Sequence, residues 1–272
     1  MSAPDLAGLL EPVRALAEEA GRRILAVYEK EFEVWHKADD SPLTAADQAS
    51  HRVIVETLQR LTPAIPILSE EGLLADYAER RQWQRYWLID PLDGTKEFVK
   101  RNGEFTVNIA LIEDHQPVLG VVHAPVWATT WFAARGIGAF RTRAGDTVRL
   151  TAGPAEEPLV AVVSRSHRDE RTNALLERLP SLETVSVGSS LKFCLVADGD
   201  ADLYPRFGPT SEWDTAAAQC VVEQAGGCVV TLDFQPLRYN TKSSLLNPDF
   251  LVLGDPSHDW RPLLEGLHGE TR

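Results

Sequence analysis

The sequence predicts a mixed α/β protein built in α+β layers, and three observations carry that expectation. Apolar residues recur at helical spacing near the start: Leu6, Leu9, Leu10, Val13, Leu16, Ala17, Ala20, Ile24 and Tyr28. Three apolar segments divided by turn residues, Phe105–Ile112, Pro117–His123 and Thr129–Ala134, read as successive antiparallel strands. Beyond Leu159, strand-length apolar runs alternate with helix-length segments, as in α/β proteins.

Taken in order, the first helix is expected to begin properly near Pro12, a residue suited to a first helical turn. Phe32, Val34 and Trp35 alternate with charges like a short strand, and Lys37–Thr44 is a polar loop. A second helix is predicted over Ala45–Leu61, stopped by Pro63, with Asp47 in its first turn, where a carboxylate suits the helix dipole. Ile65–Leu68 forms a strand delivering Ser69-Glu70-Glu71-Gly72, and the charged stretch Leu73–Arg85 is expected to be helical. Tyr86-Trp87-Leu88-Ile89 reads as a buried strand running into a turn, Asp90-Pro91-Leu92-Asp93-Gly94-Thr95. Gly136 and Gly138 mark another turn. Composition shifts at Thr151–Pro158, which sets the expected boundary between an N-terminal unit, 1–152, and a C-terminal unit, 153–272. The second unit reads as strand Leu159–Val163, helix Asp169–Leu179, strand Glu183–Val187, helix Ser190–Ala197, strand Asp202–Tyr204 and helix Thr215–Ala225, ended by Gly226-Gly227. Strands Cys228–Leu232 and Phe250–Leu253 complete it.

Composition narrows the functions. The 272 residues are 44% hydrophobic and 25% charged, the proportions of a globular protein with a sizeable core. A formal charge of −13 argues against nonspecific binding to nucleic acid. It also demands local cations if the substrate is an anion. Cys194, Cys220 and Cys228 follow no disulfide or zinc spacing and are expected to be reduced and buried. The N-terminus lacks a basic segment followed by an apolar core, so no signal peptide is expected. The longest uncharged stretch, Gln116–Ala134, contains two prolines and suits paired strands better than a membrane span.

The chemistry concentrates in acidic residues. Asp47 opens a helix, Glu70 ends a strand, Asp90 and Asp93 end another, and Asp214 sits at a helix start. Any one of these is most simply a cap or turn residue. Together they are poorly explained by capping, since strand ends and helix starts converge on one cleft in an α/β protein. Oxygen-only ligands suit a hard cation such as Mg²⁺.

Glu70-Glu71, Asp90-Pro91-Leu92-Asp93-Gly94-Thr95 and Trp213-Asp214-Thr215-Ala216-Ala217 resemble the three signatures of the inositol monophosphatase superfamily of lithium-sensitive, Mg²⁺-dependent phosphatases. The resemblance runs from Asp39 to Pro248. Within the superfamily it is strongest to the bacterial 3′(2′),5′-bisphosphate nucleotidases, through Lys96–Asn108, Ser164-Arg165-Ser166-His167, Gly188–Cys194 and Leu203–Thr210.

That resemblance implies an αβαβα sandwich. It implies that Glu70, Asp90 and the Leu92 carbonyl hold one Mg²⁺, that Asp90, Asp93 and Asp214 hold a second, and that a third, weaker ion lies near Glu70. Thr95, hydrogen-bonded to Asp47, would orient a water and pass on its proton, with Glu70 sharing that task. Substrate contacts would come from Asp93, Gly94, Thr95, His167, Ser189, Lys192, Arg206 and Asp214. Lys192 and Arg206 are the phosphate cations, and Ser189 offers donors at a helix start. Lys96, Lys100 and Arg101 are placed to offset the acidic field at the turn. The implied activity is hydrolysis of adenosine 3′,5′-bisphosphate to AMP and phosphate in support of sulfate assimilation. The competing readings are an inositol-1-monophosphatase and a noncatalytic sensor of nucleotide or metal. A cytoplasmic monomer or homodimer is expected, with no integral membrane segment; attachment to the cytoplasmic face of the inner membrane is left open.

Overall fold

Residues 5–30, 34–36, 42–165, 170–179 and 181–264 are described by a computed structural model. His167 and the loop 37–41 lie outside the described residues.

Helix α1 spans Leu6–Tyr28 and is capped by Asp5, whose side chain accepts from the Gly8 amide. It therefore starts more than a turn before Pro12. The proline sits inside the helix on its exposed side, where water can satisfy the carbonyl that loses its helical donor. Strands β1 (Val34–His36) and β2 (Pro42–Thr44) form a small hairpin leading into α2, which spans Ala45–Leu61 as predicted. Strand β3 (Ile67–Ser69) follows. The charged stretch after it yields only one helical turn, α3 (Tyr77–Arg80). Leu73 and Leu74 are exposed there, so the segment has no apolar face with which to pay for a longer helix. What it buries is Arg80, whose guanidinium bonds the Asn240 side chain and the Ser243 carbonyl.

Strand β4 covers Arg85–Asp93, and α4 covers Thr95–Val99. Strands β5 (Thr106–Glu113), β6 (Gln116–Ala124) and β7 (Thr129–Ala134) realise the antiparallel run, and β8 (Gly138–Arg143) and β9 (Asp146–Arg149) extend it. These strands make a seven-stranded sheet in sequential order β3 to β9, with only β3 and β4 parallel. The second half supplies β10 (Leu159–Ser164), α5 (Glu170–Leu176), β11 (Leu182–Val187), α6 (Leu191–Asp198), β12 (Leu203–Arg206), α7 (Glu212–Gln224), β13 (Cys228–Thr231) and β14 (Phe250–Leu253). Its five strands run in the order β11-β10-β12-β14-β13, parallel over the first three and antiparallel over the last three.

Side-chain alternation stacks these elements into layers. Trp87, Ile89, Ile109 and Leu111 project from one face of the large sheet onto α1 and α2. Leu88, Ala110 and Val122 project from the other face onto a core shared with Phe193 of α6, Ala217 and Val221 of α7, and Tyr204 and Val252 of the small sheet. Leu175 and Leu176 of α5 cover the far face of the small sheet. The order helix, sheet, helix, sheet, helix is the expected αβαβα sandwich, and burial on both faces explains why β4 and β5 read as continuous apolar runs.

One contact sets the spacing between layers. A Cβ on Gly120 of β6 would lie 2.2 Å from the Ala217 carbonyl oxygen and 2.8 Å from the Cys220 Cβ. Strand β6 thus rests against the backbone of α7, which only glycine permits.

Candidate metal and phosphate site

The carboxylates converge because of three local devices. The first is a β-bulge. Asp90 pairs with Asn108 and Asp93 with Thr106, so three steps along β4 match two along β5. Residues three apart in a regular strand face opposite sides; the extra residue reverses the alternation, and both carboxylates line one cavity. The Asp90–Asp93 segment is therefore a bulged strand end where a turn was predicted. Ser50 of α2 donates to the Pro91 carbonyl at 2.7 Å, and the Leu92 amide donates to Asp90 Oδ1 at 3.0 Å. Gly94 follows with φ of 91°, and a Cβ there would lie 3.1 Å from the Glu104 carbonyl oxygen.

The second device is the parallel pairing of β3 with β4. The Glu70 amide donates to the Ile89 carbonyl at 3.1 Å, which sets Glu70 beside Asp90. The third is helix capping. Asp47 and Asp214 each occupy the third position of a helix. Asp47 Oδ2 accepts from the Thr44 amide and hydroxyl at 2.8 and 2.6 Å, and Asp214 Oδ2 accepts from the Ser211 amide at 2.9 Å. Capping and convergence on the site thus coexist in the same residues, because one carboxylate oxygen caps while the other is left to face the site.

Carboxylate oxygens of Glu70, Asp90 and Asp214 lie within 4.8 Å of one another. Burial holds Asp90 and Asp214 well above the usual carboxylate range, and the neighbouring acids push the same way. Charges placed so close and out of water call for a cation. Asp93 lines the same cavity without joining that trio. Its Oδ2 accepts from the Ser190 amide at 2.6 Å and the Ser190 hydroxyl at 2.8 Å, and burial raises its pKa against the charge of Lys192. Thr95 Oγ stands 3.4 Å from Asp47 Oδ1 and 3.3 Å from the Leu92 carbonyl, so its proton has two acceptors behind the cavity wall.

Across the cavity, of about 250 Å³, stand Lys192 and Arg206. Lys192 is buried, which lowers its pKa to about 8, and its ammonium lies 5.4 Å from the Tyr204 ring centre. Arg206 is fixed by Thr210 Oγ1 at 2.6 Å and the Pro209 carbonyl at 2.7 Å, with no carboxylate partner among the described residues. Ser189 lines the cavity with φ of 46°, and its hydroxyl is buried without a hydrogen-bond partner among the described residues.

Glu70, Asp90, Leu92, Asp93, Gly94, Thr95, Ser189, Lys192, Arg206 and Asp214 all line the cavity, with Asp47 behind Thr95. Lys96 also lines it. Arg101 does not line it: its guanidinium bonds the Tyr28 and Lys30 carbonyls beside the Tyr28 ring, tying the end of α1 to the loop after α4. Sequence reasoning assigned no role to Ser190, Asn108 and Tyr204. Asn108 donates to the Ser190 hydroxyl at 2.9 Å, which in turn reaches the Asp214 carbonyl at 2.6 Å. The only advance signal was their position inside motif stretches.

The profile of the inositol monophosphatase family matches residues 5–260. The 3′(2′),5′-bisphosphate nucleotidase CysQ of Salmonella typhimurium is 54% identical over 246 residues, covering 90% of this chain and 99% of that protein. The Escherichia coli K12 protein of the same name is 52% identical over the same shares. Among solved structures, CysQ from Bacteroides thetaiotaomicron superposes with a TM-score of 0.79 at 44% identity, over 88% of this chain and 94% of that one. An inositol monophosphatase from Anabaena superposes with a TM-score of 0.76 at 27% identity, over 97% and 96%.

Proposed function

This chain belongs to the inositol monophosphatase family, and from that premise we propose that it is a Mg²⁺-dependent phosphomonoesterase removing the 3′-phosphate of adenosine 3′,5′-bisphosphate. One observation carries the reading: a single cavity faces three clustered carboxylates toward two fixed cations, in a chain whose relatives at 52–54% identity are named bisphosphate nucleotidases. Inositol 1-phosphate hydrolysis is the nearest alternative within the family. A noncatalytic sensor would leave the Thr95–Asp47 pair without use.

The donor set is oxygen-only and acidic, with Asp90 buried and Glu70 and Asp214 half-buried, which fits Mg²⁺. Glu70, Asp90 and Asp214 would hold it, with Asp93 and the Leu92 carbonyl available to a second or third ion. When bound, Mg²⁺ supplies charge neutralisation at phosphoryl oxygens and lowers the pKa of a water. The chain's own residues do the rest. Lys192 and Arg206 bind the phosphorylated substrate, Arg206 with a planar fork that matches phosphate oxygens. Thr95 accepts a hydrogen bond from the attacking water while Asp47, one of the two acceptors in reach of its own proton, gives that proton an exit away from the substrate. Asp214 holds the water that returns a proton to the departing 3′-oxygen. A role in sulfate assimilation and a cytoplasmic location belong to the same proposal. No helix among the described residues is long and apolar enough to cross a membrane.

Phosphate release from adenosine 3′,5′-bisphosphate, inositol 1-phosphate and a sugar phosphate, each with Mg²⁺ and with EDTA, tests this. The nucleotide is expected to be the best substrate and EDTA to abolish release. A preference for inositol 1-phosphate overturns the substrate assignment; no Mg²⁺-dependent release from any of them overturns the enzyme.

A further inference from the structure

Gly188-Ser189-Ser190 enters the cavity between two acidic anchors on its amides, with the Lys192 ammonium on the Ser189 carbonyl between them, and only one of the two acids belongs to the metal cluster's strand. The Ser190 amide is held by Asp93. The Gly188 amide donates to Glu104 Oε2 at 2.9 Å. Glu104 precedes β5, and its half-hidden carboxylate also receives a two-pronged bond from Arg165, Nε at 2.8 Å and Nη2 at 2.7 Å. Arg165 donates in turn to the Ser186 carbonyl at 2.8 Å. The ends of β10 and β11 are thus tied to the first half of the chain through one carboxylate. Between the anchors Ser189 adopts a left-handed backbone, which a serine leaves readily unless its neighbours prevent it. Its hydroxyl, buried in the cavity wall, has no partner of its own among the described residues.

We propose that Glu104 is a positioning residue for substrate recognition: by clamping the Gly188 amide it holds Ser189 in its strained conformation and aims that hydroxyl at the bound substrate. The inference rests on the phosphomonoesterase reading of the cavity and adds to it a residue that does not itself touch substrate. Ser189 acts on binding and leaves the reacting phosphate to other groups, so its loss reads out in KM.

Steady-state kinetics on Glu104→Ala, Ser189→Ala and the double variant test it. Glu104→Ala is expected to raise KM about tenfold, the worth of one well-made hydrogen bond, with kcat within about twofold. In the Ser189→Ala background the same change is expected to add nothing, because the two residues act as one unit. Glu104→Gln, which keeps an acceptor for the Gly188 amide, is expected to return KM to within about threefold of wild type. Effects that multiply in the double variant, or an unchanged KM in a folded Glu104→Ala protein, overturn the proposal. Should Glu104→Ala not fold, Glu104→Gln carries the same cycle, and its smaller effect must likewise vanish beside Ser189→Ala. If wild type prefers another phosphomonoester, the nucleotide assignment fails and the cycle is run on that substrate, where the Glu104–Ser189 coupling stands or falls by itself.

Discussion

Asp90→Asn should abolish hydrolysis and at the same time stabilise the metal-free protein. Oxygens of Glu70, Asp90 and Asp214 lie within 4.8 Å, and at an effective dielectric near 20 each unit-charge pair at that distance repels by about 3.5 kcal/mol. Proton uptake caps the penalty, so asparagine, isosteric and uncharged, is expected to gain roughly 2–4 kcal/mol in EDTA at pH 8. The sign with pH follows from the direction of the shift. Asp90 is held above its unfolded value by burial and by Glu70, Asp93 and Asp214. Its stabilising proton is fully present below the unfolded pKa and is lost as pH rises through the folded one. The advantage of the variant must therefore widen as pH rises from the unfolded value of 3.8 toward the raised folded one. Urea unfolding of both proteins, in EDTA and in saturating Mg²⁺, reads this out. Mg²⁺ is expected to close the gap, since it binds and stabilises the native wild type, while hydrolysis by the variant falls at least roughly a hundredfold. A variant no more stable than wild type in EDTA, or a gap that narrows as pH rises, would refute the charge-cluster reasoning.

Thr95→Val is expected to lower kcat by about 10²- to 10⁴-fold while leaving KM and stabilisation by Mg²⁺ in place, with Thr95→Ser keeping most of the rate; stopped-time phosphate assays with a melting curve in Mg²⁺ check both. His123, 8% exposed and bonded to Thr130 Oγ1, has its pKa lowered by burial to about 4, with Arg14 and Arg22 adding to the effect. A depressed histidine leaves the fold unpenalised above the unfolded value of 6.5 and destabilises it as pH falls toward 4, so wild type should lose about 2 kcal/mol by pH 5 relative to His123→Gln. Parallel stability curves for the two proteins between pH 7.5 and pH 5 would sink that expectation.

Elements whose signals are local were legible in the sequence. Helix α2 was bounded correctly because Thr44 can cap it, Asp47 completes the cap and Pro63 stops it. Strands β5, β6 and β7 announced themselves as apolar runs between turns. Strands β8 and β9 did not, since β9 is exposed along its whole length and offers no hydrophobic period. The stretch after Gly72 has helical composition but little to bury. In the site, the acids were readable from residue type and placement, yet the bulge that turns Asp90 and Asp93 the same way is a property of the pairing with Asn108 and Thr106. Ser190 and Glu104 escaped notice for a related reason: each works through a residue some 80–100 positions away, Ser190 on Asp93 and Glu104 on Gly188. No local pattern encodes such a partner.

The meeting of Gly120 with the Ala217 carbonyl bears on how this site tolerates evolutionary drift. Helix α7 brings Asp214, and β6 is joined through β5 to the strand bearing Asp90, so a main-chain contact gauges the gap between the two acids. Side chains elsewhere in that interlayer core can be exchanged for others of similar volume without moving the gauge. Descendants of this sequence should therefore diverge freely in their packing residues while the carboxylate spacing stays constant, for as long as position 120 remains without a side chain.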